Sequence, residues 1–262
     1  MKKLLISASL LWAVALTTVA QDNFKLTGKI DGADSDTLCI EYVILQPEKQ
    51  IVKRKVAVEN GEFSFSAELP EAYAGSMFLK SNPKETLYTY FVPNEEAVFS
   101  GRLNSVEEHW GGTTFYQQYE RVINVQRPFN TEFAAARTEP DSIRKLKNRD
   151  INSRAHSEYM KYIEEHPDED AVVALLILVG YDQVLTAIGK LTPEVRNGRM
   201  KAELDQNERM FSLVMKRKAA REVVKNDTVT IGGQVPELGL KDLNHLDLEF
   251  PSRFLRVKCG KG

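Results

Sequence analysis

The spacing of apolar residues changes once along this chain, and that change limits the folds it can adopt. From Phe24 to Leu103, apolar and polar residues alternate in short runs separated by turn sequences, a pattern typical of strands. Asn60-Gly61 is the strongest turn signal, because both residues tolerate positive φ and Phe63 and Phe65 follow on one face. About seven such strands predict an antiparallel β-sandwich or a barrel-like domain. The predicted strands lie at 24–30, 37–45, 50–59, around 63–65, and at 76–80, 87–92 and 97–103.

Beyond Leu103 the apolar spacing lengthens toward about 3.6 residues, which indicates helices. Pro140-Asp141-Ser142 starts a charged helix that is expected to run to Glu165, where His166-Pro167 breaks it. The chain is therefore predicted to be an α+β protein with its strands first. The first helix of the region is indicated by one apolar stripe: Phe115, Tyr119, Val122 and Ile123.

Two further helices are expected in the second half of the helical region. Asp168 can cap a helix over 171–179, and the apolar character of that segment on all sides indicates burial. At this length a membrane span is not expected. Thr192-Pro193-Glu194 combines a capping hydroxyl, a proline at the first helical position and an acid near the positive end of the helix dipole. That helix is expected to reach about Glu222, with an apolar face of Met200, Leu204, Phe211, Val214 and Met215.

The N-terminus has the composition of a secretory signal peptide. Lys2 and Lys3 precede a run from Leu4 to Leu16 that is apolar apart from two serines. Small residues then favour cleavage after Ala20. A membrane span needs about 20 apolar residues, and this run is several short of that. The first cysteine, Cys39, lies too far along to be a lipid-acylated N-terminus, so the sequence predicts a periplasmic or otherwise extracytoplasmic protein without a transmembrane segment after cleavage.

Composition and charge exclude several classes of protein. The chain is 42% hydrophobic and 27% charged, which suits a folded core and not a disordered chain. The formal net charge is -2, and -4 after loss of the two signal-peptide lysines, so nucleic acid is not an expected partner. The only cysteines, Cys39 and Cys259, are too few for a disulfide scaffold. Cys39 is expected to be a small packing residue on a strand.

No group of residues has the spacing of an active site or a metal site. None of the four histidines has a histidine four residues away or a cysteine in a zinc-ligand pattern. The glycine pairs lack the fingerprint that cradles phosphates, and there is no Gly-x-Ser-x-Gly elbow. We therefore assign no catalytic, cofactor-binding or metal-binding residue, and no cofactor. The residues weighed were His109, His156, His166 and His245, and the pairs Gly111-Gly112 and Gly232-Gly233.

Clusters of acidic residues are interpreted in the same way, as surface charge and not as catalytic pairs. Glu107-Glu108 and Glu164-Glu165 are expected on solvated helical faces. Asp168-Glu169-Asp170 is expected at a helix N-terminus, where the dipole stabilises negative charge.

One segment near the C-terminus resembles a known family. The sequence from Ile231 to Asn244 (IGGQVPELGLKDLN) is similar to the opening of the thioredoxin-like domain in extracytoplasmic thiol-disulfide interchange proteins of the Bacteroidetes. In that family a β-rich domain of unknown function comes first and a helical region follows. Residues 28–31, 60–65 and 91–94 resemble that β-rich domain, and residues 165–196 resemble the helical linker. The resemblance implies four segments: a signal peptide at 1–20, a β domain at 21–104, a helical region at 105–225, and a short incomplete thioredoxin-like start at 226–262.

The segment departs from the family where the redox chemistry would lie. The family continues into a buried strand and a Trp-Cys-x-x-Cys motif, whose lowered thiol pKa supplies the attacking thiolate. Here His245 stands in place of a glycine, and no second cysteine accompanies Cys259. The resemblance therefore implies a truncated, non-catalytic relative, either a remnant or an accessory of an unknown envelope partner, although residual activity is left open.

A second interpretation, from another class, is a ligand- or protein-binding scaffold of the cell envelope. Tyr88, Tyr90 and Phe91 are candidates to line such a binding surface. Aromatic strand residues are more often core, so both interpretations of these three side chains are kept.

Overall fold

The structure, a computed structural model, describes residues 22–44 and 50–226. Within those ranges the predicted α+β class is confirmed, because eight strands come first and the helices follow. The expected signal peptide, Cys259 and the segment 231–244 lie outside the described residues. The strands are β1 (Phe24–Ile30), β2 (Ser35–Ile44), β3 (Gln50–Glu59), β4 (Glu62–Ala67), β5 (Tyr73–Leu79), β6 (Asn82–Phe91), β7 (Glu95–Gly101) and β8 (His109–Gly112).

The described strands form one curled sheet, a half-barrel, in the order β6-β5-β2-β3-β4-β1-β7-β8. Neighbouring strands are antiparallel with one exception: β1 and β7 run parallel, with Phe24 beside Glu95 and Ile30 beside Gly101. The sheet is therefore mixed, although the sequence pattern predicts an antiparallel one. Alternation within a strand reports which face is buried and not which strand lies next to it, so the parallel pair left no signal.

The hairpin predicted at Asn60-Gly61 is confirmed. Both residues have positive φ, 53° and 80°, and β3 and β4 pair on either side of the turn. Phe63 and Phe65 are both buried, as expected from their spacing. The bounds predicted for β1 and β3 are correct, whereas β5 and β6 begin earlier than predicted.

One face of the curled sheet carries the core. Leu38, Ile40 and Tyr42 of β2 are buried there, and Cys39 lies half-buried on the opposite side, as expected. Gly28, which begins one of the segments that resemble the family's β-rich domain, lies inside β1, where a Cβ atom would fall 2.4 Å from the carbonyl oxygen of Phe99. The large side chains on this face include Phe24, Leu26, Phe91 and Phe99, against which Trp110 and Tyr116 pack.

Helices cover this core. Two long helices form a hairpin, and the second is the helix predicted from Pro140 to Glu165. The described helices are α1 (Thr114–Ala136), α2 (Asp141–Glu165), a 3₁₀ turn (Asp170–Val172), α3 (Val173–Leu176), α4 (Val184–Lys190), α5 (Pro193–Asn197) and α6 (Lys201–Asn226).

Two of the predicted helices differ from the structure. The segment 171–179 is buried as expected, but it is a 3₁₀ turn followed by the short α3, and Asp168 does not cap it. The N–H groups of Leu178 and Val179 turn back to the carbonyl oxygen of Leu175 and end the helix there. The apolar character of this segment on all sides therefore indicated that other elements pack around it, and it did not indicate a long helix.

The helix start at Thr192 is confirmed, because its hydroxyl accepts a hydrogen bond from the N–H of Val195 at 3.4 Å. The helix predicted to reach about Glu222 is divided in two, because α5 ends before Gly198 and α6 begins at Lys201. The break places Arg199 between the two helices, where its side chain can reach the sheet.

Candidate functional site

Glu120 on α1 holds the start of strand β8. One carboxylate oxygen accepts a hydrogen bond from the backbone N–H of Trp110 at 2.7 Å. The other lies 3.1 Å from Nδ1 of His109 and 3.4 Å from Nη2 of Arg127. This arrangement orients the His109 ring, whose side chain remains 59% exposed. A carboxylate-oriented imidazole is half of a general-base pair, but among the described residues no hydroxyl or thiol hydrogen-bonds to it.

Arg127 on α1 fixes the loop that leads into β8. Its Nε donates to the carbonyl oxygen of Val106 at 2.9 Å, and its Nη2 donates to the carbonyl oxygen of Glu108 at 2.7 Å. Nη1 also donates to the Asn124 side chain. The charged guanidinium therefore donates to backbone oxygens of the loop. Such charge-assisted hydrogen bonds are stronger than those between neutral groups, so they hold the loop in place.

Glu108 is buried beneath this loop. Its residue exposure is 7%, and burial raises the pKa of its carboxyl to about 8 against the lowering effects of the Trp110 indole and the Arg127 guanidinium. The nearby Glu120 raises that pKa further. The interpretation of Glu107-Glu108 as a solvated helical face is wrong, since both residues lie in a loop and Glu108 is buried; only Glu107 is exposed as expected. No periodicity surrounds Glu108 that would have indicated burial.

A second group joins the sheet to the helices through Arg199. Its Nη1 donates to Glu95 at 2.5 Å, and its Nε donates to Asp170 at 2.6 Å. Glu95, at the start of β7, is 4% exposed and also accepts hydrogen bonds from the Thr113 hydroxyl and from the N–H of Phe115. Asp170 begins a helical turn, as its cluster was expected to do, and in addition forms an ion pair. The Nη1 of Arg199, the Thr113 hydroxyl and the Phe115 N–H together hold the buried Glu95 carboxylate in place.

A third group lies where α2 ends. Arg121 donates to Glu169 at 2.6 Å, and the Tyr162 hydroxyl donates to the other oxygen of Glu169 at 3.3 Å. The ring of His166 lies 4.3 Å from that of Tyr162, and its Nδ1 lies 3.6 Å from Glu169. The interpretation of His166 as a helix-end residue is confirmed, because it follows the last residue of α2.

An open groove of about 680 Å³ lies between α1 and α2. Pro128 stands inside α1 and has no N–H to donate to the carbonyl oxygen of Asn124, both of which line the groove. Phe129, which contacts Tyr159 edge to face, supplies apolar surface. The groove was missed from the sequence, where a proline within an apolar helical stripe was its only signal. The other lining residues are Val125, Ser153, Arg154, Ser157 and Glu158.

Most of the candidate residues noted in the sequence lie apart from one another in the structure. Tyr90 and Phe91 are core residues, and Tyr88 is half-buried, so the core interpretation holds for the first two. His156 on α2 lies near Asp182; burial lowers its pKa and the Asp182 charge partly offsets this. Glu164-Glu165 is exposed at the end of α2, as expected, and His245 lies outside the described residues.

Within residues 22–44 and 50–226, no three His, Cys, Asp or Glu side chains are grouped so that they could hold a metal ion. In the same part of the chain, no helix is long and apolar enough to cross a membrane. Comparison with protein-family models, with curated proteins and with solved structures found no match for the chain.

Proposed function

We propose that this chain is an exported accessory protein of the cell envelope, related to thiol-disulfide interchange proteins, which binds another protein instead of exchanging disulfides itself. The observation that carries the binding role is the groove between α1 and α2. It combines an apolar floor at Val125 and Phe129 with a rim of hydroxyl and charged side chains. Apolar surface within a polar rim is the usual composition of a binding interface.

The surroundings of Cys39 support a non-catalytic role. It is a free cysteine on β2, and its neighbours across the sheet are Lys55 and Phe78. Disulfide exchange through a resolving thiol needs a second cysteine close by, and reactive cysteines usually lie at a helix start or beside several cations. The strand position of Cys39 suits packing instead.

A protein partner is favoured over a small molecule because of the shape of the groove. Small-molecule pockets enclose most of the ligand surface, whereas this groove lies open along two exposed helices. Its rim includes the ion-paired Arg154 and the exposed Glu158, which can contact an extended surface. The open shape of the groove supports proposing the helices, and not the strand aromatics, as the binding surface.

Site-specific photo-crosslinking in envelope extract tests this proposal. A crosslinking residue at Ser157 should give a discrete protein adduct, and one at the sheet position Lys55 should not. Ser153→Arg, which fills the groove, should abolish the adduct, while Ser142→Arg near the start of the same helix should leave it unchanged. Equal adducts from both crosslinking positions, or an adduct insensitive to Ser153→Arg, would contradict the groove as the binding site.

An insulin-reduction assay tests the non-catalytic part. The chain should show no turnover with dithiothreitol as the reductant beyond the reductant's own background. Turnover that is removed by Cys39→Ser or by Cys259→Ser would show that the protein exchanges disulfides.

A further inference from the structure

The end of the α1–α2 hairpin is exposed. We call residues 137–150, which connect the two helices and begin α2, the hairpin tip. Every residue in the tip is exposed or half-buried. Leu146 is 66% exposed and Ile143 is 43% exposed, so two large apolar side chains point into solvent here. They lie three residues apart and therefore on the same side of α2.

The tip also carries cations that its own acids do not neutralise. Arg144 pairs with Asp141 at 2.5 Å, and Lys147 pairs with Glu139 at 2.5 Å. The third acid of the tip, Asp150, pairs with Arg154 at 2.9 Å. The remaining cations, Arg137, Lys145 and Arg149, make no ion pair with another described residue.

The charge of the tip is opposite to that of the whole chain. Residues 137–150 contain two lysines, three arginines, two aspartates and one glutamate, which leaves an excess of positive charge, whereas the chain has a formal net charge of -2. An anionic surface would therefore attract this end more than the rest of the chain, whose net charge is negative. The charge distribution orients the protein before contact.

We propose that the hairpin tip docks on an anionic lipid surface. Leu146 and Ile143 enter the boundary between headgroups and acyl chains, and Lys145 and Arg149 lie at the level of the lipid phosphates. Exposed apolar side chains beside lysine and arginine are the composition of helices that bind membrane surfaces. This role goes beyond the groove and does not depend on it.

The shape of the tip favours lipid over an acidic protein. Ile143 and Leu146 are exposed on α2, and the described pockets do not include them. A protein partner would have to present a matching cavity, whereas the headgroup region adapts to any protruding side chain. Long cationic side chains beside Leu146 can reach phosphates while their stems cover apolar surface.

Co-sedimentation with vesicles tests the proposal on the exported chain. The protein should bind vesicles of phosphatidylglycerol with phosphatidylcholine, and should bind vesicles of phosphatidylcholine alone much less. Lys145→Gln with Arg149→Gln should lower the partition coefficient by roughly tenfold or more, since each cation near an anionic surface contributes measurably. Leu146→Ser should also weaken binding, and added salt should weaken it for the wild-type chain.

Matched controls lie on the outer face of the sheet. Lys25→Gln with Lys55→Gln removes the same charge from exposed strand positions, and Val98→Ser shortens an apolar side chain that is 48% exposed. Both controls should bind like the wild-type chain, and so should the groove variant Ser153→Arg. Binding that is absent, equal on both kinds of vesicle, or unchanged by the tip variants would overturn the proposal. Loss of a protein crosslink in the tip variants without vesicle binding would assign the tip to a protein.

Discussion

Two buried acidic side chains at the boundary between sheet and helices, Glu95 and Glu108, have different hydrogen-bonding partners. Glu95 accepts hydrogen bonds from a hydroxyl, a backbone N–H and the guanidinium of Arg199. Glu108 has the Trp110 indole and the Arg127 guanidinium beside it, but that guanidinium is already engaged by loop carbonyl oxygens and by Glu120. A carboxyl without a cation of its own retains its proton when buried. Glu108 is therefore largely neutral at pH 7.

Stability should depend on pH through Glu108. Its pKa is about 8 in the folded protein against an ordinary value of 4.5, so the folded state holds a proton that the unfolded chain releases. The free energy of unfolding should be highest below pH 4.5 with respect to this group, and fall as pH rises toward 8. The loss should be on the order of 2–4 kcal/mol. Urea denaturation across pH 5 to about 9 measures it.

Glu108→Gln removes this dependence, because glutamine cannot ionise. The variant and the wild-type chain should have similar free energies of unfolding near the acidic end of this pH range. Near its alkaline end the variant should be the more stable of the two. Glu107→Gln is the control, since Glu107 is exposed and its substitution should leave the pH dependence unchanged. Parallel curves for Glu108→Gln and the wild-type chain would show that Glu108 ionises freely in the fold. Glu203 also contributes in both proteins, since burial raises the pKa of its carboxyl to about 7 despite the Asn207 side chain.

Backbone strain gives a second prediction for a single residue. Gly61 has φ of 80°, and a Cβ atom there would lie 3.0 Å from the carbonyl oxygen of Ile30. Gly61→Val should lower the free energy of unfolding by about 1–3 kcal/mol, because a β-branched residue is strained at positive φ. In Gly111→Ala the new Cβ meets nothing within 4 Å, so that variant should stay within about 0.5 kcal/mol of the wild-type chain. Thermal unfolding of the two variants tests the difference, and equal midpoints would contradict it.

Residues differ in how far the sequence alone could predict them. Gly61 was predictable because a turn depends on its own two residues. The burial of Glu108 was not, because it arises from a loop folded beneath Arg127, which lies 19 residues along the chain. The role of Glu95 depends on Arg199, which lies still further away.

At the scale of elements, Arg199 is the connection between β7 and the turn that precedes α3. Arg199→Gln should leave Glu95 buried without its cation. The free energy of unfolding should fall by about 2–3 kcal/mol, which is less than for a fully buried ion pair because Arg199 is partly exposed. Arg154→Gln removes an arginine that binds two carboxylates on an exposed surface and should cost less than about 1 kcal/mol. Chemical denaturation compares them.

A third variant separates the missing charge pair from lost packing. Glu95→Gln combined with Arg199→Gln removes the uncompensated carboxylate, so it should recover part of the stability that Arg199→Gln loses. If the double variant is as unstable as the sum of both single variants, the two side chains do not interact energetically.

Elements with a regular local pattern were predicted well, and those fixed by packing were not. β1 and β3 have the predicted bounds because their alternation and turns are local. β8 was missed, since His109–Gly112 is short and contains two glycines, and it forms by pairing with β7. The break at Gly198 was also missed, although Asn197-Gly198 is itself a turn pair, because the apolar stripe of the predicted helix was given more weight; the ion pairs of Arg199 accompany the break.

For the whole molecule, export remains a prediction that a direct measurement can test. N-terminal sequencing of the chain recovered from the periplasm of an expression host should begin at Gln21 or a near neighbour, because the lysine pair and short apolar run suit cleavage after Ala20. Lys2→Glu with Lys3→Glu should slow the processing. An uncleaved chain that is extracted only with detergent would contradict the signal peptide.

The parallel pairing of β1 with β7 has a consequence for how the chain acquires its structure. The first of the described strands, β1, finds one of its two neighbours only after β7 has been made, since Phe24 pairs with Glu95 and Ile30 with Gly101. Such pairing closes a long loop before it gains contacts, which is characteristic of slow folding. A chain that emerges N-terminus first therefore presents one edge of β1 unpaired until β7 has followed. During that interval the unpaired edge of β1 can pair with a strand edge of another chain, so the unfinished protein is prone to aggregation.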